Sequence, residues 1–460
     1  MEETSYDEIF SSFEEISNTY KRSDQYFDIL YDSSSSLTIQ KTPSAENLSV
    51  SGKKAGIVAR TYVGEWKEFA FPVGSALSNI NTKIPKVTGM GDSIAEFEGW
   101  NLVKKIKPKI DPTTIPIEDK LERIREMFKY IMDYDERIFN CRITYTESQT
   151  NRTFVNNEGS LLHQSIPRTR LSIAPIAKDD STIEFDYFHK EGQIGFEIFD
   201  LVEDHILEQA INNSIEMLKA IAIKPGKYTT ILDPNMTGIV AHESFGHGLE
   251  ADQVLRGRSY LKEHLNKQVA SEICVICDSP AIEQQWGSIY FDEEGIRPGK
   301  NVLVEDGILK DFIYDRRSAS ILDAEPKGNG RRQSYAHPVH PRMTNTYFEP
   351  GESKLEEIIS ELKEGVIMRR GYFGMEDPLG GGMQCTSKKG YLIENGQKTQ
   401  ILKAIAISGS VLDVLMNIDA ISSDNLSFSG GTCGKGKEDY VPVSDGGSYI
   451  RIRNALLSPG

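Results

Sequence analysis

The stretch that most restricts the fold of this chain is residues 241–252, because it holds two histidines and a glutamate within six positions, from His242 to His247. Its pattern His-Glu-x-x-x-His is one residue longer than His-Glu-x-x-His, in which two histidines one helical turn apart bind zinc beside a catalytic glutamate. On a regular α-helix, side chains five residues apart point about 140° away from each other. Gly246 and Gly248 would permit a widened turn that directs both imidazoles to one ion. The stretch therefore predicts half of a metal site on a distorted helix.

A catalytic zinc ion requires a third protein ligand, and the residues offer three candidates for it. Glu250 and Asp252 follow the motif closely, whereas Cys433 is distant and lies in a glycine-rich run, residues 430–436. The motif alone also fits a surface helix with two ordinary histidines. The pattern therefore leaves both the third ligand and the metal itself open.

Four further blocks of sequence follow one another in the second half of the chain. They are Pro225-Gly226-Lys227-Tyr228 through His242-Glu243 to Glu250-Ala251-Asp252; Lys327-Gly328-Asn329-Gly330-Arg331-Arg332 through Ser334-Tyr335 to Arg342-Met343-Thr344-Asn345-Thr346-Tyr347; Gly390-Tyr391-Leu392-Ile393-Glu394-Asn395-Gly396; and Cys433-Gly434-Lys435 leading to Val441-Pro442-Val443. In this order they resemble the TldD/PmbA family of metallopeptidases. The His-Glu-x-x-x-His motif places the resemblance on the TldD branch, which keeps the motif that the partner branch lacks.

The resemblance implies a zinc-dependent peptidase with a defined set of site residues. His242, His247 and Cys433 would bind Zn²⁺, and Glu243 would act as the catalytic base. The resemblance further implies an enclosed site for small or unfolded peptides, and a heterodimer with a motif-less, TldE/PmbA-like paralogue or else a homodimer. After Cys433-Gly434-Lys435 the family usually continues Glu-Gly-Gln, whereas this chain reads Gly-Lys-Glu-Asp at residues 436–439. The shape of the loop beside the cysteine therefore stays open.

Composition excludes some functions and one compartment. With 52 basic and 68 acidic residues, the net charge is −16, and no run of lysine or arginine forms a basic stripe. Such a surface repels nucleic acid and anionic membranes, so neither is expected as a partner. Five scattered cysteines do not resemble a disulfide framework, and no signal peptide or apolar run of about 18 residues is present. We expect a cytoplasmic protein.

The periodicity of apolar residues predicts an α+β fold in two domains. An N-terminal domain of helices and antiparallel sheet, residues 1–222, is expected to precede a β-rich catalytic domain with a metal-binding helix, residues 223–460, with Pro225-Gly226 near the boundary. Apolar residues recur at helical spacing in three N-terminal segments. These are Ile9, Phe13, Ile16 and Tyr20; Ile117, Leu121, Ile124, Phe128 and Ile131; and Leu207, Ile211, Ile215 and Leu218.

Alternating patterns predict the strands between and after these helices. A hairpin is expected at residues 56–71, an antiparallel meander at 137–173 and a second hairpin at 301–313. Ile239, Val240 and Phe245 are expected to face the core from the metal-binding helix. Residues 273–277 are expected to form a strand that carries Cys274 and Cys277. Their Cys-x-x-Cys spacing could suggest zinc, but side chains three apart on a strand face opposite ways, so we expect buried cysteines.

A long irregular stretch, residues 326–341, is dense in glycine, arginine and histidine, as functional loops often are. His337, His340 and Arg342 could bind a carboxylate or carbonyl of a peptide. Equally, such side chains could hold the backbone of the loop by hydrogen bonds.

Two other functions stay open on the sequence alone. The first is a metal-independent thiol hydrolase, with Cys433 as the nucleophile and His242 or His247 as its base. The second is a non-catalytic binding or modulator protein in which zinc is structural. Zinc content separates the first from a metallopeptidase, and peptide cleavage separates the second.

Overall fold

The computed structural model describes residues 6–18, 25–72, 94 and 96–460, so Tyr20 lies outside the described residues. The helices are α1 (Tyr6–Asn18), α2 (Ile117–Tyr134), α3 (Asp204–Met217), α4 (Pro234–Ile239), α5 (Ala251–Leu255), α6 (Arg316–Leu322), α7 (Leu355–Ser360) and α8 (Val411–Met416). Single turns of other helix types are a π-helical turn (Val240–Gly246) and 3₁₀ turns (Pro112–Thr114, Phe196–Phe199, His247–Leu249).

The strands of the first half of the chain are β1 (Tyr26–Lys41), β2 (Glu46–Tyr62), β3 (Trp66–Pro72), β4 (Asn101–Lys105), β5 (Ile138–Asn156), β6 (Leu161–Lys178), β7 (Ile183–Phe185), β8 (Phe188–Gly192), β9 (Ile221–Ala222) and β10 (Gly226–Leu232). Those of the second half are β11 (Ile276–Asp278), β12 (Asn301–Glu305), β13 (Ile308–Leu309), β14 (Gly330–Arg331), β15 (His340–Pro341), β16 (Asn345–Phe348), β17 (Glu364–Glu376), β18 (Gly382–Glu394), β19 (Gln397–Ser410), β20 (Ile418–Ile421), β21 (Ser427–Lys435), β22 (Glu438–Gly447) and β23 (Ile450–Pro459). The fold is α+β, as predicted.

The centre of the first sheet is built from long antiparallel strands, and β4 joins it in parallel to β6. Its order is β3-β2-β1-β5-β6-β4, and β7 and β8 also pair with β6. Strands β1, β2, β5 and β6 are 16 to 19 residues long. The predicted hairpin at residues 56–71 is the β2–β3 pair, and the predicted meander is the β5–β6 pair. Both predictions are confirmed.

Helices α2 and α3 cover one face of this sheet, and α1 packs in a second cluster against its β1–β2 end. The apolar stripes that predicted them are largely buried: Ile131 and Ile211 are fully buried, and Phe13 is almost so. Ile117 is an exception, because it is the first residue of α2 and is 41% exposed. Periodicity therefore identifies the buried face of a helix, but it does not show at which residue along the helix the burial begins.

The second half of the chain forms a 7-stranded and a 6-stranded sheet around a shared core. In the first, β23 pairs with both β10 and β19, so that β23, β10, β17, β18 and β19 close into a ring. The second has the order β13-β12-β11-β16-β22-β21. Within the described residues β21 pairs only with β22, so one edge of β21 is open.

Two sequence predictions in this region have different outcomes. The predicted hairpin is the β12–β13 pair, which turns at Asp306 and Gly307 with positive φ angles of 51° and 72°, but its second strand ends at Leu309 and not at Ile313. Cys274 and Cys277 are fully buried as predicted. The strand, however, begins only at Ile276, because a turn closed by the Cys274 N–H and the carbonyl of Ser271 precedes it. The prediction of a strand from residue 273 is therefore wrong at its start.

Buried ion pairs join the first sheet to the second half of the chain. Arg60 of β2 donates to Asp28 of β1 at 3.0 Å and to Glu294 at 3.0 Å. Arg152 of β5 likewise donates to Asp32 at 3.0 Å and to Glu293. These contacts fix the polar face of the sheet relative to the second half. Among the described residues, no helix has the length and apolar run needed to cross a bilayer.

Candidate metal centre

The two histidines of the motif lie on the widened turn that their spacing predicted. Helix α4 begins after Asp233, whose carboxylate caps the N–H of Met236, and continues into the π-helical turn at residues 240–246. A π-helix bonds residue i to i+5 and places side chains five apart nearly above each other. The centroids of the His242 and His247 rings are 5.2 Å apart, and the two ring planes are almost perpendicular. The helix distortion that the motif required is therefore present.

Packing explains where the turn lies. Val240 and Phe245 are fully buried and Ile239 is 9% exposed, as predicted for the core side of this helix. Gly246 lies against the sulfur of Met343, which a side chain at this position would displace. The absence of a side chain at Gly246 thus allows the turn to lie close to the segment that carries Met343.

Strand β21 brings Cys433 to the histidines across 186 residues of sequence. Its Sγ lies 3.7 Å from Nε2 of His247. One ligand atom from each of His242, His247 and Cys433 lies within 4.8 Å of the other two. Two imidazole nitrogens and one thiolate are a donor set that suits zinc, and a three-residue set leaves a position for water or substrate. The residues present therefore fit a zinc ion.

The ionisable groups of this cluster shift one another's pKa values. Burial alone would raise the pKa of Cys433, but His247 and His242 hold it well below its usual value. Burial would likewise lower the pKa of His247, but Cys433 and Glu250 raise it. Nδ1 of His242 is buried without a hydrogen-bond partner among the described residues. The lowered pKa of Cys433 favours the thiolate, which is the form of cysteine that binds a metal.

Glu250 and Asp252, the other candidate ligands, contact a cation instead. Glu250 lies 3.4 Å from Nδ1 of His247 and 3.0 Å from Nζ of Lys435, which also donates to Asp252 at 2.6 Å. Burial alone would raise the pKa of Glu250, but Lys435 and His247 lower it to about 2. A carboxylate on the second nitrogen of a ligating histidine fixes its tautomer and ring orientation. Glu250 stands in this position relative to Nδ1 of His247, a candidate ligand.

Glu243 lies beside the three candidate ligands, 3.9 Å from Nε2 of His247, and lines the neighbouring cleft. Gly374 of β17 packs against it, and an added Cβ there would come within 2.7 Å of Glu243 Cγ. The backbone of β17 therefore sets the place of this carboxylate.

A cleft of about 690 Å³ opens at Glu243 and His242. Its walls come from the polar face of the first sheet, from Gly371 to Gly374 of β17 and from residues 429–432 of β21. The N–H of Gly430 donates to Glu191 and not to β22. Because bonding alternates along a strand, the backbone groups of Thr432 also face the open edge. The cleft is therefore lined by the side chains of His242 and Glu243 and by a strand edge.

The predicted substrate-binding residues contact other groups of the protein in this structure, a backbone carbonyl in the case of Arg342 and side chains in the case of His337 and His340. Arg342 is fully buried and donates to the carbonyl of Cys433 at 2.5 Å. Nδ1 of His337 lies 2.8 Å from the hydroxyl of Ser334, and Nε2 of His340 lies 3.7 Å from Glu438. None of the three is among the described residues that line the cleft. These contacts match the alternative reading, in which such side chains stabilise the loop.

Three further residues near the metal centre were not predicted as site residues. Lys435 joins Glu250 to Asp252, as described above. Asp445 lines the cleft, and burial raises its pKa to about 7. Both carboxylate oxygens of Glu376 are buried without a hydrogen-bond partner among the described residues, and burial raises its pKa to about 8. Each lies on a strand far from the motif in sequence, so only folding reveals it.

The departure from the family pattern after Lys435 forms a tight turn. Lys435 pairs with Glu438, and Gly436 has a φ of 65°, so residues 436 and 437 alone connect β21 to β22. Glycine adopts this backbone conformation without strain. The altered residues thus close a hairpin, and Glu438 beyond it pairs with Arg342 at 3.3 Å.

Family models match most of the second half of the chain and part of the first. Residues 225–458 match the PmbA/TldA metallopeptidase C-terminal domain, and residues 110–218 match the PmbA/TldA metallopeptidase central domain. A metalloprotease of Methanocaldococcus jannaschii is 36% identical over 75% of this chain and 76% of its own length. A zinc metalloprotease TldD homolog of Saccharolobus solfataricus is 32% identical over 73% and 75%.

Solved structures share the fold at lower identity. A proposed modulator of DNA gyrase from Thermotoga maritima superposes with a TM-score of 0.77 at 20% identity, covering 98% of this chain and 100% of that one. TldE from Thermococcus kodakarensis superposes with a TM-score of 0.75 at 16% identity, covering 97% and 100%. The architecture described above is therefore shared with these proteins.

Proposed function

Since the chain belongs to the PmbA/TldD family and is a metallopeptidase, we propose that it hydrolyses peptide bonds in small or unfolded peptides at a single zinc ion. The ligands would be His242, His247 and Cys433. The observation that carries this proposal is the approach of their ligand atoms to within 4.8 Å of one another, beside the carboxylate of Glu243.

When bound, zinc would polarise the scissile carbonyl and lower the pKa of water at the site. Glu243 would take a proton from the attacking water and pass it to the leaving amine. Glu250, held by Lys435, would keep the ring of His247 in the tautomer that leaves Nε2 free to bind. The buried side chain of Arg342 would hold the carbonyl of Cys433 and so the position of the thiolate.

The open edge of β21 suggests how the substrate lies. An extended peptide can add to a strand edge through main-chain hydrogen bonds, which do not depend on its sequence. Gly431 has no atom within 4 Å of where a Cβ would stand, so space is left on the face of the strand beside this edge. Such binding requires an unfolded segment, in agreement with the proposed substrate class.

The thiol-hydrolase alternative has less support. Cys433 is 2% exposed, and the described residues that line the cleft include Thr432 but not Cys433. A nucleophile must reach the scissile carbonyl, whereas a ligand needs only to reach the ion. We therefore assign Cys433 to the metal.

We further propose that residues 1–222 and 223–460 form two domains, and that the protein works as a heterodimer with a motif-less paralogue or as a homodimer. The family matches that end at residue 218 and begin at residue 225 support the boundary. The fold shared with TldE supports the assembly. Adding the purified paralogue should raise peptidase activity, and full activity of a purified monomer would sink the proposed assembly.

The experiment that tests the mechanism separates the base from the ligands. We expect Glu243→Gln to keep about one zinc per chain while peptide hydrolysis falls by a factor on the order of 10² or more. His242→Ala should lose both zinc and activity, and His337→Ala serves as a histidine control outside the cleft. Metal analysis and cleavage of an unstructured peptide measure the two properties. Full activity of Glu243→Gln would contradict the mechanism.

A further inference from the structure

The wall of the cleft that faces the metal centre is one face of the first sheet. On β5 and β6, alternate residues are buried under α2 and α3, as Ile143 and Leu171 are, and their neighbours face the opposite side. The cleft side of these strands and of β1 carries two hydroxyl groups, one amide and two arginines. They are Thr144 and Arg142 from β5, Ser172 and Arg170 from β6 and Gln40 from β1.

The two arginines differ in their partners. Arg170 lies 4.0 Å from the carboxylate of Glu191, which is itself buried. Arg142 is exposed and pairs across the strands with Ala174. Within the described residues, no ion pair or side-chain hydrogen bond is found for the guanidinium of Arg142. Arg142 is thus a free cation on the wall of the cleft.

A free cation here contributes little to the fold. The chain carries a net charge of −16, so acidic partners for a surface arginine are plentiful elsewhere. The nearest cross-strand neighbours of Arg142 on this face are small or uncharged instead. A planar guanidinium with five donors binds carboxylates in a bidentate manner. The group that fits this position is therefore a carboxylate brought by the ligand.

From this geometry we propose that Arg142 is a specificity-determining residue of the cleft that binds a carboxylate of the peptide substrate. The carboxylate is either the C-terminal group or an acidic side chain, since the chemistry of both is the same. The inference rests on the proposed function, because it assumes that peptides lie in this cleft. It adds that anionic peptides are preferred although the protein is itself acidic.

Binding to an inactive protein tests this without relying on turnover. The full-length Glu243→Gln protein, loaded with zinc, is titrated by calorimetry with three forms of one hexapeptide of alanine and serine. These are the free acid, the C-terminal amide, and the amide with one internal glutamate. We expect at least one carboxylate-bearing form to bind on the order of tenfold more tightly than the plain amide. Which form it is identifies the source of the carboxylate.

Adding Arg142→Gln should remove this preference and leave the affinity for the plain amide unchanged. The matched control is Lys53→Gln, which removes one exposed positive charge from β2 of the same sheet and should keep the preference. Equal weakening of all three peptides by Arg142→Gln, no weakening of any, or no binding to the parent protein would overturn the inference. Zinc-dependent cleavage by the wild-type chain is measured separately, so failure of the proposed function is recognised by itself.

Discussion

The buried charges that join the first sheet to the second half of the chain are paired, whereas several around the metal centre are not. Arg60 contacts both Asp28 and Glu294, each as a charged hydrogen bond. Near the histidines, both oxygens of Glu376 and one oxygen of Asp445 are buried without a partner among the described residues. Unpaired buried polar groups cost stability and persist mainly where they serve a site. We infer that Glu376 and Asp445 are candidates for a role at the metal centre, whereas Arg60 and its partners hold the fold.

The largest expected effect on stability comes from breaking the paired charges between the first sheet and the second half of the chain. Arg60→Met leaves the carboxylates of Asp28 and Glu294 without their cation, and breaking a buried pair in this way costs roughly 3–5 kcal/mol. Arg125→Met is the matched control, because Arg125 bonds Glu46 on the exposed surface and its loss should change stability little. Urea unfolding measures both free energies. Equal stability of the two variants would mean that the junction does not depend on its ion pairs.

At the metal centre, a change in the position of Glu243 should lower activity more than stability. In Gly374→Ala the new Cβ would meet Glu243 Cγ and Ile239 Cγ2, each at 2.7 Å, and Glu243 Cβ at 2.8 Å, so the Glu243 side chain and the helix that carries it must shift. We expect kcat/KM to fall on the order of tenfold with zinc content unchanged. Gly382→Ala is the control, since its Cβ would have no atom within 4 Å. Unchanged activity of Gly374→Ala would show that Glu243 tolerates displacement.

The smallest effect concerns the unpaired carboxyl of Glu376. Burial raises its pKa to about 8, so the folded protein keeps a proton that the unfolded chain releases above about pH 4.3. This group therefore costs stability increasingly as pH rises from about 4.3 towards 8. Glu376→Gln cannot ionise and should raise the Tm of the metal-free protein by a few degrees at pH 8.5 and by less at pH 5.5. Glu364→Gln, exposed on the same strand, is the control. If the gain in Tm were the same at both pH values, the proposed protonation of Glu376 in the folded protein would be wrong.

Local patterns predicted the parts of the molecule that depend on neighbours in sequence. Helical stripes gave α2 and α3, alternation gave the β5–β6 pair, and the His-Glu-x-x-x-His spacing predicted the widened turn. The start of β11 differed, because the turn at Cys274 interrupts an apolar run that reads as one strand. Periodicity records which face is buried but not where a backbone hydrogen bond ends a strand.

Contacts between residues that are far apart in sequence could not be predicted from local sequence patterns. Spacing left Cys433, Glu250 and Asp252 equal as third ligands, and only the resemblance favoured the cysteine. The structure separates them because β21 carries Cys433 to the histidines while Lys435, two residues later, contacts both carboxylates. The role of Arg142 is likewise invisible in sequence, since its meaning comes from the cleft across which it faces the motif.

The central claim is that zinc is held by two histidines and one cysteine, and X-ray absorption at the zinc edge tests it most directly. The full-length zinc-loaded protein should show one sulfur at about 2.3 Å, with nitrogen ligands at about 2.0–2.1 Å. Cys433→Ser should lose the sulfur shell, whereas Cys385→Ser, another buried cysteine, should keep it. A wild-type spectrum of nitrogen and oxygen alone would contradict the account and return the third position to Glu250.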